Sequence, residues 1–557
     1  MSLARYFQKL YQTYGEQPVQ PGLPELAAQL CVSERHARQL LGRMQGEGWL
    51  TWQAGRGRGV RSTLQLHGKA LQQLEQELQQ LLQQGALSQV LQRLPAAERQ
   101  QWLDSLPRLL AQHDAGSRLR IPLPRALKSL DPLTVAFWLE ANLVRQLFDR
   151  LLEVDPQRGL VGSLAHHWEA QQQGQCWRFW LRPRLQFHDG SVLDSTAVME
   201  TLLRLRDEPG PAQWQYRHLR RVVCHDALGF SCELERPDWL WPHCLANGPA
   251  SIVPRRRRRH FGELPVGSGP WRLLQRHPGR LLLQAMPYHH RGAPLLEQIE
   301  LWILDLPDYP APYDLVWQQE EGQPVHSEGL HWPEGCHYLI LGEPDDNQRQ
   351  QLAALLSHPP LVADDEVWRR PAHHLLASWP PMEGTPAGRI SRPPAQVLTL
   401  QHFGVPQASV LLPRIRQRLS MAGITLTVLQ RNAALLQEGT GFPRADLTLQ
   451  GEILSEDTIF SLYEWLGGNI IEHLPPLRQQ ALWRALARIQ AMPGQAEQLA
   501  GFQQEASHLI QEGWLLPLSH EANCLHPAPW LAGAKPGNNG WVDFSKLWVR
   551  GDSTQPS

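Results

Sequence analysis

The chain has 557 residues, 42% hydrophobic and 19% charged, with a formal net charge of −1. That length allows about three or four domains, and so much apolar material supports sizeable cores and excludes a largely disordered chain. The near-neutral total hides an asymmetry: residues 1–65 hold eight Lys/Arg against four Asp/Glu, a basic head on an acidic body, as suits a head that alone meets nucleic acid.

Seven cysteines, an odd number with no CxxC pair, argue against a disulfide framework or a zinc ribbon and for reduced thiols in a cytosolic protein. No apolar leader follows Met1, and no stretch approaches the ~20 apolar residues of a membrane span. The expected location is therefore cytoplasmic, with no membrane partner.

In chain order, Leu3, Phe7, Leu10 and Tyr14 share one face of residues 3–14 and predict a first helix. Pro24 suits the start of a second helix, whose stripe is Leu26, Ala27 and Leu30. Cys31-Val32 then makes a tight turn, and Ser33 is placed to cap a third helix. In that helix Ala37, Leu40, Leu41 and Met44 form the buried face, and Gly46 and Gly48 end it. Arg35, His36, Gln39 and Arg43 point away from the buried face, with Arg38 flanking it. Such an outward face can contact phosphates and base edges.

Trp49 to Trp52 reads as a strand, Gly55-Arg-Gly-Arg-Gly59 as a basic turn, and Val60 to Leu66 as the return strand. Arg56, Arg58 and Arg61 supply charge for phosphate or minor-groove contact. Helix pairs alone occur by chance. A helix pair followed at once by this hairpin points to a winged helix-turn-helix. Its expected DNA-binding residues are Ser33, Arg35, His36, Arg38, Gln39, Arg43, Arg56, Arg58 and Arg61, and its partner is double-stranded DNA.

Residues 67–117 change character. Leu71, Leu74, Leu78 and Leu81 recur with heptad-like spacing among glutamines, but the run is short for a coiled coil, which favours a helical spacer over a dimerisation element. From about Arg118 the pattern mixes helix and strand. Val144 to Val154 reads as a helix, Cys176 to Leu181 as a strand, and Leu185 to Gly190 as a hairpin. Asp194 to Leu205 reads as a helix capped by Asp194 or Ser195, and Arg280 to Gln284 as a strand. Further on, Val397 to Leu400, Ile424 to Leu429 and Ala445 to Leu449 read as strands of a second lobe.

Several of these segments resemble the family 5 extracellular solute-binding proteins. They are Val144 to Leu152, Leu164-Ala-His-His-Trp-Glu169, Leu181-Arg-Pro-Arg-Leu-Gln-Phe-His-Asp-Gly190, Pro265-Val-Gly-Ser-Gly-Pro-Trp271, Ala293 to Ile299 and the closing Trp541 to Ser545. A winged helix ahead of such a domain resembles the SgrR-type transcriptional regulators. The resemblance implies a multidomain chain: an N-terminal winged helix (α+β) over 1–66, a helical linker over 67–117, and a two-lobed α/β periplasmic-binding-protein-like domain over 118–557. It further implies a cytoplasmic regulator that senses a small solute, such as the sugar phosphate glucose 6-phosphate. The resemblance also implies action as an activator and autoregulator, with RNA polymerase as a further candidate partner. A solute- or peptide-binding protein serving ABC transport is the alternative.

In the peptide-binding relatives a second-lobe carboxylate grips the ligand, and the resemblance transfers that part to Glu452 or Asp457. No catalytic constellation is expected: there is no GxSxG, no HExxH and no Walker A motif, and no cofactor is called for. The run Arg255 to Arg259 reads as a solvated helix start after Pro254. Metal ligation is not expected either. The adjacent pairs His166-His167, His289-His290 and His373-His374 would point to opposite faces of a strand and chelate poorly.

Overall fold

The structure is a computed structural model. It describes the chain apart from residues 1–2, 16, 54–61, 68–79, 82–83, 85, 88–90, 92–117, 124, 304–314, 319–329, 343–344, 364–368, 381–396, 404–407, 432–444, 529 and 551–557.

The head is built from α1 (Leu3–Tyr14), α2 (Leu23–Leu30), α3 (Glu34–Gly46), β1 (Leu50–Gln53) and β2 (Thr63–Leu66). Cys31, in the left-handed region at φ 56°, ends α2 and turns the chain back, while Ser33 caps α3 by accepting from the His36 amide at 3.3 Å. Gly48, at φ 74°, closes α3, a conformation glycine adopts without a Cβ penalty. The strands pair antiparallel with Leu50 opposite Leu66 and Trp52 opposite Leu64. Phe7, Leu10, Leu26, Leu30, Ala37, Leu40, Leu41 and Met44, which the 3.6-residue period selects on the helices, form the core with Leu64 and Leu66, which alternate inward on β2. Leu87 and Leu91 join this core, and so does Trp302 from the body of the protein.

The first lobe holds two four-stranded sheets. One has the order β10-β11-β12-β3, from β3 (Arg118–Leu123), β10 (Trp271–His277), β11 (Arg280–Ala285) and β12 (Gln298–Ile303). Its β3 and β12 run parallel, with Ile121 opposite Leu301. Between them in sequence come α4 (Trp138–Leu147) and the hairpin of β4 (Leu152–Asp155) with β5 (Gly159–Gly162). The second sheet is antiparallel, in the order β6-β7-β9-β8, from β6 (Ala165–Gln171), β7 (Cys176–Leu181), β8 (Leu219–Cys224) and β9 (Gly229–Leu234). Helix α5 (Ser195–Asp207) packs on this sheet, and its cap is Asp194, which accepts from the Thr196 and Ala197 amides.

The second lobe is a mixed sheet in the order β13-β19-β14-β18-β16-β17, with β15 (Arg369–Pro371) on β19. Its strands are β13 (Leu315–Gln318), β14 (Leu330–Leu341), β16 (Val397–His402), β17 (Thr425–Gln430), β18 (Leu447–Glu452) and β19 (Leu515–Pro527). Helices α6 (Asp346–Ser357) and α7 (Ala408–Met421) flank it, and α8 (Thr458–Glu464), α9 (Pro476–Gln490) and α10 (Gln495–Gln511) follow β18. The chain then returns: Trp541, Val542, Phe544 and Leu547 are buried in the first-lobe core beside Trp271 and Ile299.

Two local expectations are corrected. The helix anticipated over Val144 to Val154 lies earlier, at Trp138–Leu147, and Leu152–Asp155 is a strand. The tertiary reason is the Gly267-Ser-Gly269 loop, which sits on the helix end with the Gly269 amide donating to the Leu147 carbonyl at 3.0 Å. A Cβ at Gly267 would lie 1.9 Å from that carbonyl oxygen, so the approach requires glycine. The Arg255 to Arg259 run forms no helix. It is an exposed bend, with Arg255 bonded to Glu200 at 2.9 Å.

Candidate nucleic-acid interface and inter-lobe seam

Helix α3 presents the expected face. Ser33, Arg35, His36, Arg38, Gln39 and Arg43 are all exposed, while Ala37, Leu40, Leu41 and Met44 are buried beneath them. The His36 ring meets Tyr6 edge-on at 6.2 Å, which ties one end of the face to α1. The wing arginines Arg56, Arg58 and Arg61 lie outside the described residues, but the strands that carry the wing are in place. A protruding helix with guanidinium, imidazole and amide groups can contact base edges and phosphates together.

The two lobes meet where α4 and the short helical turn Trp241–Leu245 face the segment after β18. Arg145 bonds Glu456 at 3.1 Å and Asn247 at 3.2 Å. The His243 Nδ1 lies 2.8 Å from an oxygen of Asp457. Asp457 is buried, and its other oxygen accepts from the Phe460 amide at 3.0 Å as the cap of α8. Both of its oxygens are therefore committed to the fold. Glu452 is different: Tyr338 and Asn469 both donate to its Oε1, at 3.0 and 2.7 Å. Burial, with the Glu464 charge adding to it, pushes the Glu452 carboxyl up to about 8 despite those two bonds, so it is neutral near pH 7. Burial likewise lifts Glu464 to about 7, against the opposing pull of Arg145.

Reading the sequence singled out the stretch after β18 but missed Arg145, Asn247, His243, Tyr338 and Asn469, which the fold brings to it.

Of the histidine pairs, His289-His290 lies in a turn and not on a strand. Opposite-face geometry does not apply there, and both Nε2 atoms reach Asp149, at 3.1 Å from Oδ2. His188 is a structural group. Its Nε2 lies 3.0 Å from the Gly269 carbonyl, its Nδ1 accepts from the Gly267 amide, and burial holds its pKa down to about 4. The six cysteines whose side chains are described are free thiols, and among the described residues no helix is long and apolar enough to cross a membrane.

Comparison with known proteins gives the class first. Residues 2–114 match the family described as "Sugar transport-related sRNA regulator N-term", and residues 159–321 match "Bacterial extracellular solute-binding proteins, family 5 Middle". Solved binding proteins share the fold of the body. The murein tripeptide binding protein MppA of Escherichia coli has a TM-score of 0.64 at 14% identity, over 78% of this chain and 99% of its own. The mannopinic acid complex of MoaA from A. tumefaciens R10 has a TM-score of 0.63 at 15% identity, over 78% of this chain and 100% of its own. The chain is therefore a winged-helix head joined to a two-lobed, family 5 solute-binding fold.

Over nearly its whole length the chain is similar to SgrR-type transcriptional regulators. It is 28% identical to the HTH-type transcriptional regulator SgrR of Yersinia enterocolitica and 29% identical to that of Escherichia coli O1:K1, covering 98% of each chain in both comparisons.

Proposed function

We propose that the chain is a ligand-responsive transcriptional regulator. In this reading residues 1–66 bind promoter DNA and 118–557 bind a small solute between the lobes, while the linker expected over 67–117 lies mostly outside the described residues. The observation that carries it is α3, exposed along its polar face and anchored along its apolar one, so that it can enter a major groove without disturbing the head. Ser33, Arg35, His36, Arg38, Gln39 and Arg43 meet base edges and phosphates, and Arg56, Arg58 and Arg61 hold the flanking backbone.

The finer reading is that the effector is a sugar phosphate such as glucose 6-phosphate, and that the protein acts in the cytoplasm as an activator and autoregulator, meeting RNA polymerase at the promoter. The description of the family that matches residues 2–114 supports a link to sugar transport. The chemistry of the seam is compatible: Arg145 offers a guanidinium for a phosphate, and neutral Glu452, with Tyr338 and Asn469, offers hydrogen-bonding groups for hydroxyls. Of the two carboxyls singled out, Glu452 is the ligand group, because Asp457 is occupied by His243 and by its own helix cap.

The signal passes to the head through Trp302, which is buried among head residues while its strand β12 belongs to the first lobe. A ligand moves such an equilibrium only by preferring one state; a swing from 1:99 to 99:1 needs about 5.5 kcal/mol of preference.

The test is a DNA-binding titration on the DNA upstream of the protein's own gene, with and without glucose 6-phosphate, at two salt concentrations. A specific complex that responds to both supports the whole reading. Specific binding blind to glucose 6-phosphate removes that effector, and absence of a specific, salt-sensitive complex removes the groove docking.

A further inference from the structure

We propose that Asp149, His289 and His290 form a binding site for one divalent transition-metal ion of the zinc class, in the first lobe.

The three residues come from distant parts of the chain. Asp149 lies just past the end of α4, where its backbone is fixed by its amide donating to the Ser268 hydroxyl at 3.2 Å and its carbonyl accepting from Ile252 at 2.9 Å. His289 and His290 sit in the turn after β11, which Pro287 enters and Gly292, at φ 102°, leaves. The turn sets the two rings side by side, with centroids 4.5 Å apart. The His289 Nε2 is 3.3 and 3.1 Å from the two Asp149 oxygens, and the His290 Nε2 is 3.1 Å from Oδ2.

These spacings suit a metal. Zinc binds imidazole nitrogen and carboxylate oxygen at roughly 2.0–2.2 Å in a tetrahedron, which puts neighbouring donor atoms ~3.3–3.5 Å apart. One donor atom from each residue lies within 4.8 Å of both others, and the carboxylate–imidazole spacings of 3.1–3.3 Å already match, so an ion that sets the separation of the two rings takes three protein ligands. The Asp149, His289 and His290 side chains are only 1%, 3% and 13% exposed, so the fourth position opens on the His290 side, where a water completes the shell.

The charges nearby leave Asp149 available. Arg150 and Arg291 are the adjacent cations, and both pair with Glu153. The two histidines hold the Asp149 carboxyl ionised against the push of burial, and each ring gives up its Nε2 proton as the ion enters, so binding releases protons and weakens as pH falls. The buried His290 Nδ1 has no hydrogen-bond partner, so one outer-shell support is missing. Loss of such support typically weakens a site by ~10–100-fold, which makes this a moderate site.

The experiment uses full-length protein without a histidine tag, stripped with chelator, then titrated with zinc by calorimetry and with cobalt by visible absorption. The expected result is one equivalent bound, a cobalt spectrum of low coordination number, and a raised thermal midpoint. His290→Gln should weaken zinc binding by more than ~100-fold, beyond an outer-shell effect. Asp149→Asn should do the same. If that buried change prevents folding, His290→Gln, at the most exposed of the three, decides the matter. Stoichiometric binding lost in the folded His290→Gln protein supports the site. No stoichiometric binding by the wild type, or equal binding by the variant, overturns it and leaves the cluster a histidine–aspartate ion pair.

Discussion

Arg145 of α4 and Glu456 of the segment after β18 meet at 3.1 Å across the seam between the lobes, although 311 positions separate them in the chain. Their side chains are 26% and 20% exposed, so the pair is partly screened. Arg145→Ala removes this bond and the one to Asn247, and should cost about 1 kcal/mol of stability in urea unfolding. If Arg145 also holds the effector's phosphate, the variant should lose effector response by a larger factor than its stability change explains. An unchanged response would assign Arg145 to the lobe contact alone.

The head divides into groove and backbone contacts. Arg56→Ala with Arg58→Ala should weaken binding to all DNA about equally and lower the salt slope by up to ~2. Gln39→Ala or Arg35→Ala should instead change sequence preference, with ~1–3 kcal/mol lost at the base pair contacted. Affinity measurements on a set of single-base operator variants separate the two effects.

Trp302 is fully buried in the cluster that contains Leu41, Met44 and Leu91, so it ties the first lobe to the head. Its truncation to Ala should cost about 3–5 kcal/mol through the cavity left behind. Trp302→Leu, the milder change, should keep DNA binding within a few-fold of wild type while reducing the shift produced by an effector. Titrations with and without effector check this. Equal loss of basal binding and of response would show that Trp302 only stabilises the head.

Stability should fall on the alkaline side. Glu452 and Glu464 titrate near 8 and 7 in the fold, raised chiefly by burial, so the folded chain holds protons that the unfolded chain has released. Their stabilisation is complete below the ordinary carboxylate range and is lost as pH rises through 7 and 8. Glu452→Gln should flatten this arm, by on the order of a few kcal/mol between pH 5 and 9. On the acid side, burial depresses His374 and His473 to about 4. Their contribution is complete above the ordinary imidazole value and is lost as pH falls toward 4. Thermal melts across pH, with and without Glu452→Gln, test both arms.

The sequence by itself determined what local periodicity and capping control. α1 at Leu3–Tyr14, the Ser33 cap, the buried stripe of α3 and β7 at Cys176–Leu181 are all dictated within a few residues, because helix and strand periods repeat over one or two turns. The exposed face of α3 was legible for the same reason, as the complement of its stripe. Family likeness of the segments around His188 and Gly267 carried the body's fold further than periodicity could.

Tertiary structure decided the rest. It stopped α4 at Leu147 under the glycine loop, brought Arg145 to Glu456, set Trp302 into the head, and turned His289 and His290 together onto Asp149. Each of these depends on groups far apart in sequence, whose approach is chosen by packing and by the need to satisfy buried charge. No local pattern encodes that choice.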